Sequence, residues 1–563
     1  MERAMTEPAV SDHLSTGSTG RQQAFRYLPA ALAVVFFVAF AALVLSQAER
    51  MIEPDPYAYR ASIAALENGD VTLTQQQYDD LASRLATTSL GGGIMQWHQN
   101  ASGTWVSEKN PGYPFLAVGF DEANALRLAP LFYGALACLA MWFGARKWLG
   151  RWGGTFAVGA YCSSAVAMVM AWRSTMPTFT DASLVAAGLG ALVWAVVALD
   201  RSSRTRTIVG ALAFFSFGLA VFVRYTNIAV LAVAAAFALF VCLRPRWRLG
   251  WSTLVWWAIA SIPPLIASLA YDTLVFDGPF STGYAASSVQ FTTSAISGNF
   301  DVMPSQLWKA MPVFVVGLIA IGVLVGGQVW GATRRRQVAT GVVEVGSIPS
   351  HVIDRWIGLL LVGSWAAVWG LYAAYEWTAR MGGAGGNGPG GAGGGGPFGS
   401  GGTTYSIVRF YLPALGAIAL LVAWLLTRMP PLVGILAILV LFGFGGHEFL
   451  STVDGQWAHM SFGGAGRGGA AGEPPGSQGG NRPRFDPTKC PNLPQGGPPG
   501  GASQGGSVPN PGPGQGQRPD GQFPGPGGGI TLDENGCPIL PGASSTTTTT
   551  PEPTTTTTFV PVA

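Results

Sequence analysis

Charge is what this sequence has least of. Asp, Glu, Lys and Arg make up 11% of its 563 residues, where a soluble domain carries about 25%. That shortage excludes an ordinary soluble globular protein and points to a chain that crosses a membrane several times. The net charge is only +3, so nothing in the balance points to a nucleic-acid partner. Histidine is scarce, and His98 and His447 stand alone in loops. Cysteine is scarce too. Cys138, Cys162 and Cys242 lie in apolar runs and read as buried thiols. Cys490 and Cys537 lie in a polar tail, where a disulfide between them is open if that tail is outside the cytoplasm. No pair has the spacing of a zinc site. The glycine stretch from Gly382 to Gly402 lacks the lysine and hydroxyl residue of a phosphate-binding loop, and reads as a flexible lid.

Apolar runs are what the sequence has in abundance: mean hydropathy is +0.33. A bilayer span needs about 20 apolar residues. By that rule the chain has about eleven spans, at 28–46, 124–145, 153–172, 181–199, 207–223, 228–243, 251–275, 311–331, 354–376, 407–427 and 430–446. The fold class expected is an all-α polytopic membrane protein. The first run is longer than the apolar core of a cleaved signal and reads as an anchor. Pro263-Pro264 should kink or break its helix.

Arginine and lysine set the orientation. Arg146, Lys147 and Arg151, then Arg201, Arg204 and Arg206, then Arg244, Arg246 and Arg248, then Arg334 to Arg336, and finally Arg428 fall on one side if the spans alternate. That side is expected to be the cytoplasm of a multi-pass cell-membrane protein. Residues 1–26 then form a cytoplasmic segment, 27–446 the membrane domain and 447–563 an external tail. Gly, Pro, Gln, Ser and Thr dominate that tail, so it is expected to be disordered.

Three external loops follow, at 48–123, 276–310 and 378–406. The first is too long for a simple turn. Apolar positions at Tyr59, Ile63 and Leu66, and again at Tyr78, Leu81 and Leu85, predict two short amphipathic helices lying on the membrane surface.

Charges near helix ends are costly and need a reason. Glu53 and Asp55 follow the first span within Glu53-Pro54-Asp55-Pro56-Tyr57-Ala58-Tyr59. Taken singly, Asp55 reads as a turn residue, and Asp181 as the N-cap of its span. Arg224 sits in a tight turn on the side where arginine is disfavoured. It is either snorkelling to lipid headgroups or a phosphate ligand, since a guanidinium forks onto phosphate oxygens.

Read together, these features resemble the GT-C superfamily of membrane glycosyltransferases, in its protein-mannosyltransferase-like and aminoarabinose-transferase-like branch. The resemblance covers about residues 27–446. It is carried by Asp55, Tyr59 and the Ala61 to Leu66 stretch after the first span; by Lys109 and Pro111 before the second; by Asp181; by Arg224-Tyr225; by the Gly278 to Tyr284 loop; and by Arg409-Phe410-Tyr411-Leu412-Pro413. It departs from the family where Pro56 follows Asp55, leaving Glu53 as the second acid, and where Asn110 follows Lys109.

The resemblance implies a GT-C-like external first loop and inverting transfer of a hexose or pentose. The sugar would pass from a polyprenyl-phosphate donor to an acceptor on the external face, whether protein, lipid or polysaccharide. It implies Asp55 as catalytic base, Lys109, Arg224 and Arg409 as donor-phosphate ligands, and Glu53, Tyr59 and Asp181 in support. Membrane lipid is a further partner. A divalent metal on Asp55 and Asp181 stays open, since hard cations favour carboxylates. Two other classes fit less of the chain. A transporter or flippase for a lipid-linked substrate needs mid-bilayer charges or repeated halves, and an envelope scaffold leaves the shaped external loops unexplained.

Overall fold

The computed structural model describes residues 19–49, 54–85, 94, 96–100, 102–199, 201–244, 247, 249–283, 291–335, 350–382, 405 and 407–453. Glu53, Cys490, Cys537, most of the glycine stretch and the tail from 454 onward lie outside them.

The first span is α1 (Thr19–Ser46). The loop after it folds into α2 (Pro54–Glu67), α3 (Gln75–Arg84), a hairpin of β1 (Trp97–Gln99) and β2 (Trp105–Ser107), and α4 (Gly112–Glu122). Both surface helices are thus present where the apolar spacing predicted them, and sequence explains why. Pro54 and Pro56 preset φ in the first turn of α2, and Asp55 there faces the positive end of the helix dipole. Thr74 and Gln77 close a reciprocal capping box on α3. Their apolar faces do not rest on lipid, however. Tyr59 and Ile63 enter the main core. Tyr78 and Leu81 build a small second core with Ala58, Ala61, Leu73 and Trp97. Protein covers these faces because the hairpin folds back over α2, with Trp97 Nε1 donating to the Ala58 carbonyl at 3.4 Å.

The bundle continues with α5 (Ala129–Leu149), α6 (Arg151–Cys162), α7 (Ala165–Trp172), α8 (Thr178–Val197), α9 (Ser203–Val223), α10 (Ile228–Cys242) and α11 (Trp251–Phe276). It closes with α12 (Ala295–Ala310), α13 (Val313–Arg335), α14 (Ser350–Ala373), α15 (Glu376–Gly382), α16 (Leu415–Leu426) and α17 (Pro431–Ser451). Among the described residues, nine helices are long and apolar enough to cross a membrane, or ten if α6 and α7 count as one span. The chain is an all-α polytopic membrane protein.

One difference from the sequence reading has a local cause. The stretch read as one span at 153–172 is broken, with α6 and α7 bent by 63°. Ser163 and Ser164 sit at the break, and the Ser164 hydroxyl caps the second piece by accepting from Ala167 N–H. Hydroxyls that bond the local backbone compete with the helix ladder in this way. The stretch read at 311–331 is helical as α13, which runs from Val313 to Arg335. Pro263 and Pro264, by contrast, do not break their helix, which runs through both. Half of the second external loop is helical as α12, and the last span runs on to Ser451.

The span carrying α16 and the one carrying α8 are almost wholly covered by other helices, whereas α1, α11 and α17 are mostly uncovered. The first two form the centre of the described bundle and the others its periphery. Asp181 and Ala195 sit near the two ends of α8. Helical rise of 1.5 Å per residue separates them by about 21 Å.

Candidate active site

Asp55 lies in the first turn of α2, Lys109 in the turn between β2 and α4, and Arg409 at the start of a 3-10 turn (Arg409–Ala414) that opens α16. These are three distant stretches of chain, yet they meet at one point. Lys109 Nζ is 3.0 Å from Asp55 Oδ1, and Arg409 donates to Asp55 Oδ2 at 2.8 Å. Lys109 and Arg409 are buried, and Asp55 is largely so. Burial alone would push the Asp55 carboxyl up. The Lys109 ammonium and the Arg409 guanidinium outweigh it and, with a smaller contribution from Gln96, hold the carboxyl well below the usual carboxylate range.

Two glycines let the Lys109 arm reach this position. A Cβ on Gly112 would collide with the Phe222 backbone at the end of α9, and a Cβ on Gly283 would collide with the backbone of Glu108. The arm is therefore seated between the end of α9 and Gly283, part of the loop read as Gly278 to Tyr284, whose Tyr284 lies outside the described residues.

A second cluster forms at the same end of the bundle. Asp181, the fourth residue of α8, is wholly buried and does not cap its helix; the N-cap is Pro177. Asn227 donates to Asp181 Oδ1, and Arg224 Nη1 is 3.7 Å from Asp181 Oδ2. Arg224 also donates to Thr178 Oγ1 at 3.4 Å. It turns inward on these partners, which corrects the snorkelling alternative.

Phe410 links the two clusters. Its ring centroid is 5.4 Å from Arg224 Cζ and 5.0 Å from Arg409 Cζ, within the range of cation–π attraction. Tyr59 packs one turn along α2 from Asp55, edge-on to Tyr113 with centroids 6.1 Å apart. Burial pushes the Tyr113 hydroxyl up, so it stays protonated, and it donates to the Ser174 carbonyl.

The predicted residues thus fall into one group of three around Asp55 and one pair around Asp181, with Tyr59 supporting from behind. The arrangement does not fit a metal. Each carboxylate already faces cationic or amide donors, and they belong to separate clusters. Among the described residues no three His, Cys, Asp or Glu side chains come together. A hard cation needs several oxygen ligands on one point.

Sequence reasoning missed two contributors. Gln96 helps to lower the Asp55 carboxyl, and nothing in the Gln96-Trp97 dipeptide signals it. Glu49 accepts from the Ser174 hydroxyl at 2.7 Å and from Thr175 N–H at 3.3 Å, docking the segment after α1 on the loop before α8. Arg127, a charge near the start of α5, clasps the end of α1, donating to the Gln47 carbonyl at 2.5 Å. A shallow, open cleft lies beside Lys109, between Ser62, Asp70, Phe115 and Tyr271.

No family model and no curated protein matches the chain. Two solved structures are similar to it. One is the crystal structure of ArnT from Cupriavidus metallidurans bound to undecaprenyl phosphate, at 13% identity and a TM-score of 0.42, over 74% of this chain and 64% of that one. The other is ArnT from the same organism in the apo state, at 15% identity and a TM-score of 0.34, over 76% of this chain and 78% of that one. The chain thus spans 64% of the length of the first of these structures.

Proposed function

We propose that this chain is an integral membrane glycosyltransferase that moves a sugar from a polyprenyl-phosphate donor to an acceptor hydroxyl, at the end of the bundle that carries α2 to α4. The observation that carries the reading is the Lys109–Asp55–Arg409 cluster. It places a carboxylate and two buried cations at one point beside a cleft, together with the sequence resemblance to GT-C enzymes in the same residues.

The chemistry follows from the charges. The acceptor oxygen attacks the anomeric carbon as the carbon–oxygen bond to the phosphate breaks, inverting that carbon. The bond pair leaves with the lipid phosphate, and the acceptor's proton passes to Asp55. Lys109 and Arg409 stabilise the charge growing on the leaving phosphate, and Arg224, joined to them through Phe410, adds a third cation. As found, both cations lie on Asp55 and make it a weak base. A donor phosphate competes for the same two cations, and each contact it takes from Asp55 returns basicity to the carboxylate. The base is then strongest when donor is present.

The positive-inside pattern supports an external catalytic face, a cytoplasmic amino terminus and a plasma-membrane location. The segment 447–563 is then an external tail that tethers or spaces.

The test is turnover by the purified full chain, in lipid, of a panel of polyprenyl-phosphate hexoses and pentoses with protein, lipid and polysaccharide acceptors. Release of polyprenyl phosphate coupled to acceptor glycosylation is expected for at least one donor. Lack of turnover with the whole panel overturns the reading.

A further inference from the structure

Tyr225 stands beside Arg224 in the sequence, yet the Asp181 cluster gives it no role. Its hydroxyl donates to Asp272 Oδ1 at 2.6 Å. Asp272 is the only charged residue in α11, one turn before that helix ends, and it is 2% exposed. A buried carboxylate is costly in an otherwise apolar span, which marks it as serving a site.

The bond belongs to a set. Arg224 leaves α9 with an extended backbone, and Tyr225–Asn227 form a 3-10 turn before α10. The four side chains of this turn reach α8, α11 and α14. Arg224 donates to Thr178 on α8 at 3.4 Å, and Tyr225 reaches Asp272 on α11. Thr226 Oγ1 and the Tyr372 hydroxyl of α14 share a hydrogen bond at 2.7 Å. Asn227 donates to Asp181 on α8 and, at 2.9 Å, to the Ala220 carbonyl within α9. A short turn between two spans needs no such bonds to three further helices. Together they fix the backbone from which the Arg224 guanidinium projects. A side chain mounted in this way loses less freedom when it takes a ligand.

The end of α11 also braces the Lys109 side of the site. Asn100, in the hairpin turn between β1 and β2, donates to the Val275 carbonyl at 3.4 Å. Gly283, in the loop that α11 feeds, lies against the backbone of Glu108, next to Lys109. The Tyr225–Asp272 bond therefore ties Arg224 to the helix end that supports Lys109.

We propose that Tyr225 and Asp272 are positioning residues, whose hydrogen bond holds Arg224 where it meets the donor phosphate. This rests on the reading of Arg224 as a phosphate ligand.

The experiment measures binding of polyprenyl phosphate, without a sugar, to the purified full chain in neutral lipid. Tyr225→Phe removes one oxygen and keeps the ring. It is expected to weaken binding about tenfold, the value of one hydrogen bond to a charged group. Asp272→Asn keeps an oxygen that accepts from the phenol, and its affinity is expected to stay closer to wild type than to Tyr225→Phe. Asp272→Leu breaks the same bond from α11 and carries the test if Tyr225→Phe does not fold. The decisive readout is a double-mutant cycle. Arg224→Gln is expected to weaken binding by itself, and Tyr225→Phe added to it to weaken binding no further, because Tyr225 acts through Arg224. A bond that serves only stability would lower the melting temperature and leave the affinity of the folded fraction unchanged, which overturns the proposal. Equal losses from Tyr225→Phe with and without the Arg224 change overturn it too. Wild-type affinity in Arg224→Gln removes the phosphate role of Arg224 and this proposal with it. Absence of binding by the wild type overturns the polyprenyl-phosphate reading itself.

Discussion

The two ends of the helix bundle handle buried charge in opposite ways. At the end that carries α2 to α4, charges from distant stretches meet each other: Asp55 with Lys109 and Arg409, and Asp181 with Arg224. At the other end of α8 and α9, Arg206 is just as buried and bonds backbone carbonyls. It donates to the carbonyls of Ala195, Val196 and Trp247 at 2.8, 3.2 and 3.0 Å. Nearby in kind, Asp354 accepts from Trp148 Nε1 at 2.8 Å and from Arg428 at 2.5 Å, tying α14 to α5 and to the turn after α16. Backbone carbonyls at a helix end must be satisfied whatever the protein does, so Arg206 needs no ligand to explain it. Side-chain ion pairs buried at one point are costly to assemble, and hydrophobic residues usually serve stability as well. Among the described residues, the Asp55 and Asp181 clusters meet at the end that carries α2 to α4, and that marks the site.

The comparison breaks first at Asp55. Asp55→Asn is expected to lower kcat/KM at least about a hundredfold by removing the base. It is also expected to cost about 3 kcal/mol of stability, because Lys109 and Arg409 lose their buried counter-charge. Activity normalised to folded protein, beside a melting curve, separates the two effects. Wild-type turnover by the folded variant contradicts the role of Asp55.

A pH profile sharpens the same end. The Asp55 carboxyl is depressed by Lys109 and Arg409. Its stabilising contribution is therefore fully present above its unfolded value of about 4. That contribution is lost only as pH falls through the much lower folded value. Donor that draws the two cations away should raise that value. The acidic limb of kcat, which reports the donor complex, is expected at least about one pH unit above that of kcat/KM, which reports the free enzyme. Coincident limbs would show that the donor leaves the cluster as it is.

Smaller effects test the other end. Arg206→Gln is expected to destabilise by about 2 kcal/mol, since it strips charge-assisted bonds from three buried carbonyls. Asp354→Asn should cost about 1 kcal/mol or less, because Arg428 is half-exposed and its pair is partly screened. Both should leave kcat/KM of the folded fraction at the wild-type value. A large kinetic loss in either, measured on monodisperse protein, would erase the distinction between the ends.

Much of this was legible before any coordinates. Apolar run length placed nearly every span, and apolar spacing placed α2 and α3. Proline and acid at the start of α2 marked where Asp55 would stand. What defeated the reading was competition that sequence does not display. The serine hydroxyls at 163 and 164 took the backbone's hydrogen bonds and bent a span. The faces of α2 and α3 looked ready for lipid until the hairpin covered them. Arg127 and Arg224 looked alike as charges at helix ends, yet one clasps α1 and the other turns to Asp181.

By itself, then, the sequence determined the solvent. A chain with so few charges and so many long apolar runs must bury its backbone polar groups in helices within a bilayer. It also determined which charges stand at helix ends. Only the tertiary structure decided that Asp55, Lys109 and Arg409 occupy one point, that Asp181 pairs with Arg224, and that Phe410 joins the two. The reason is physical. Periodicity and length act within a segment, whereas ion pairing depends on distances between segments that only packing sets.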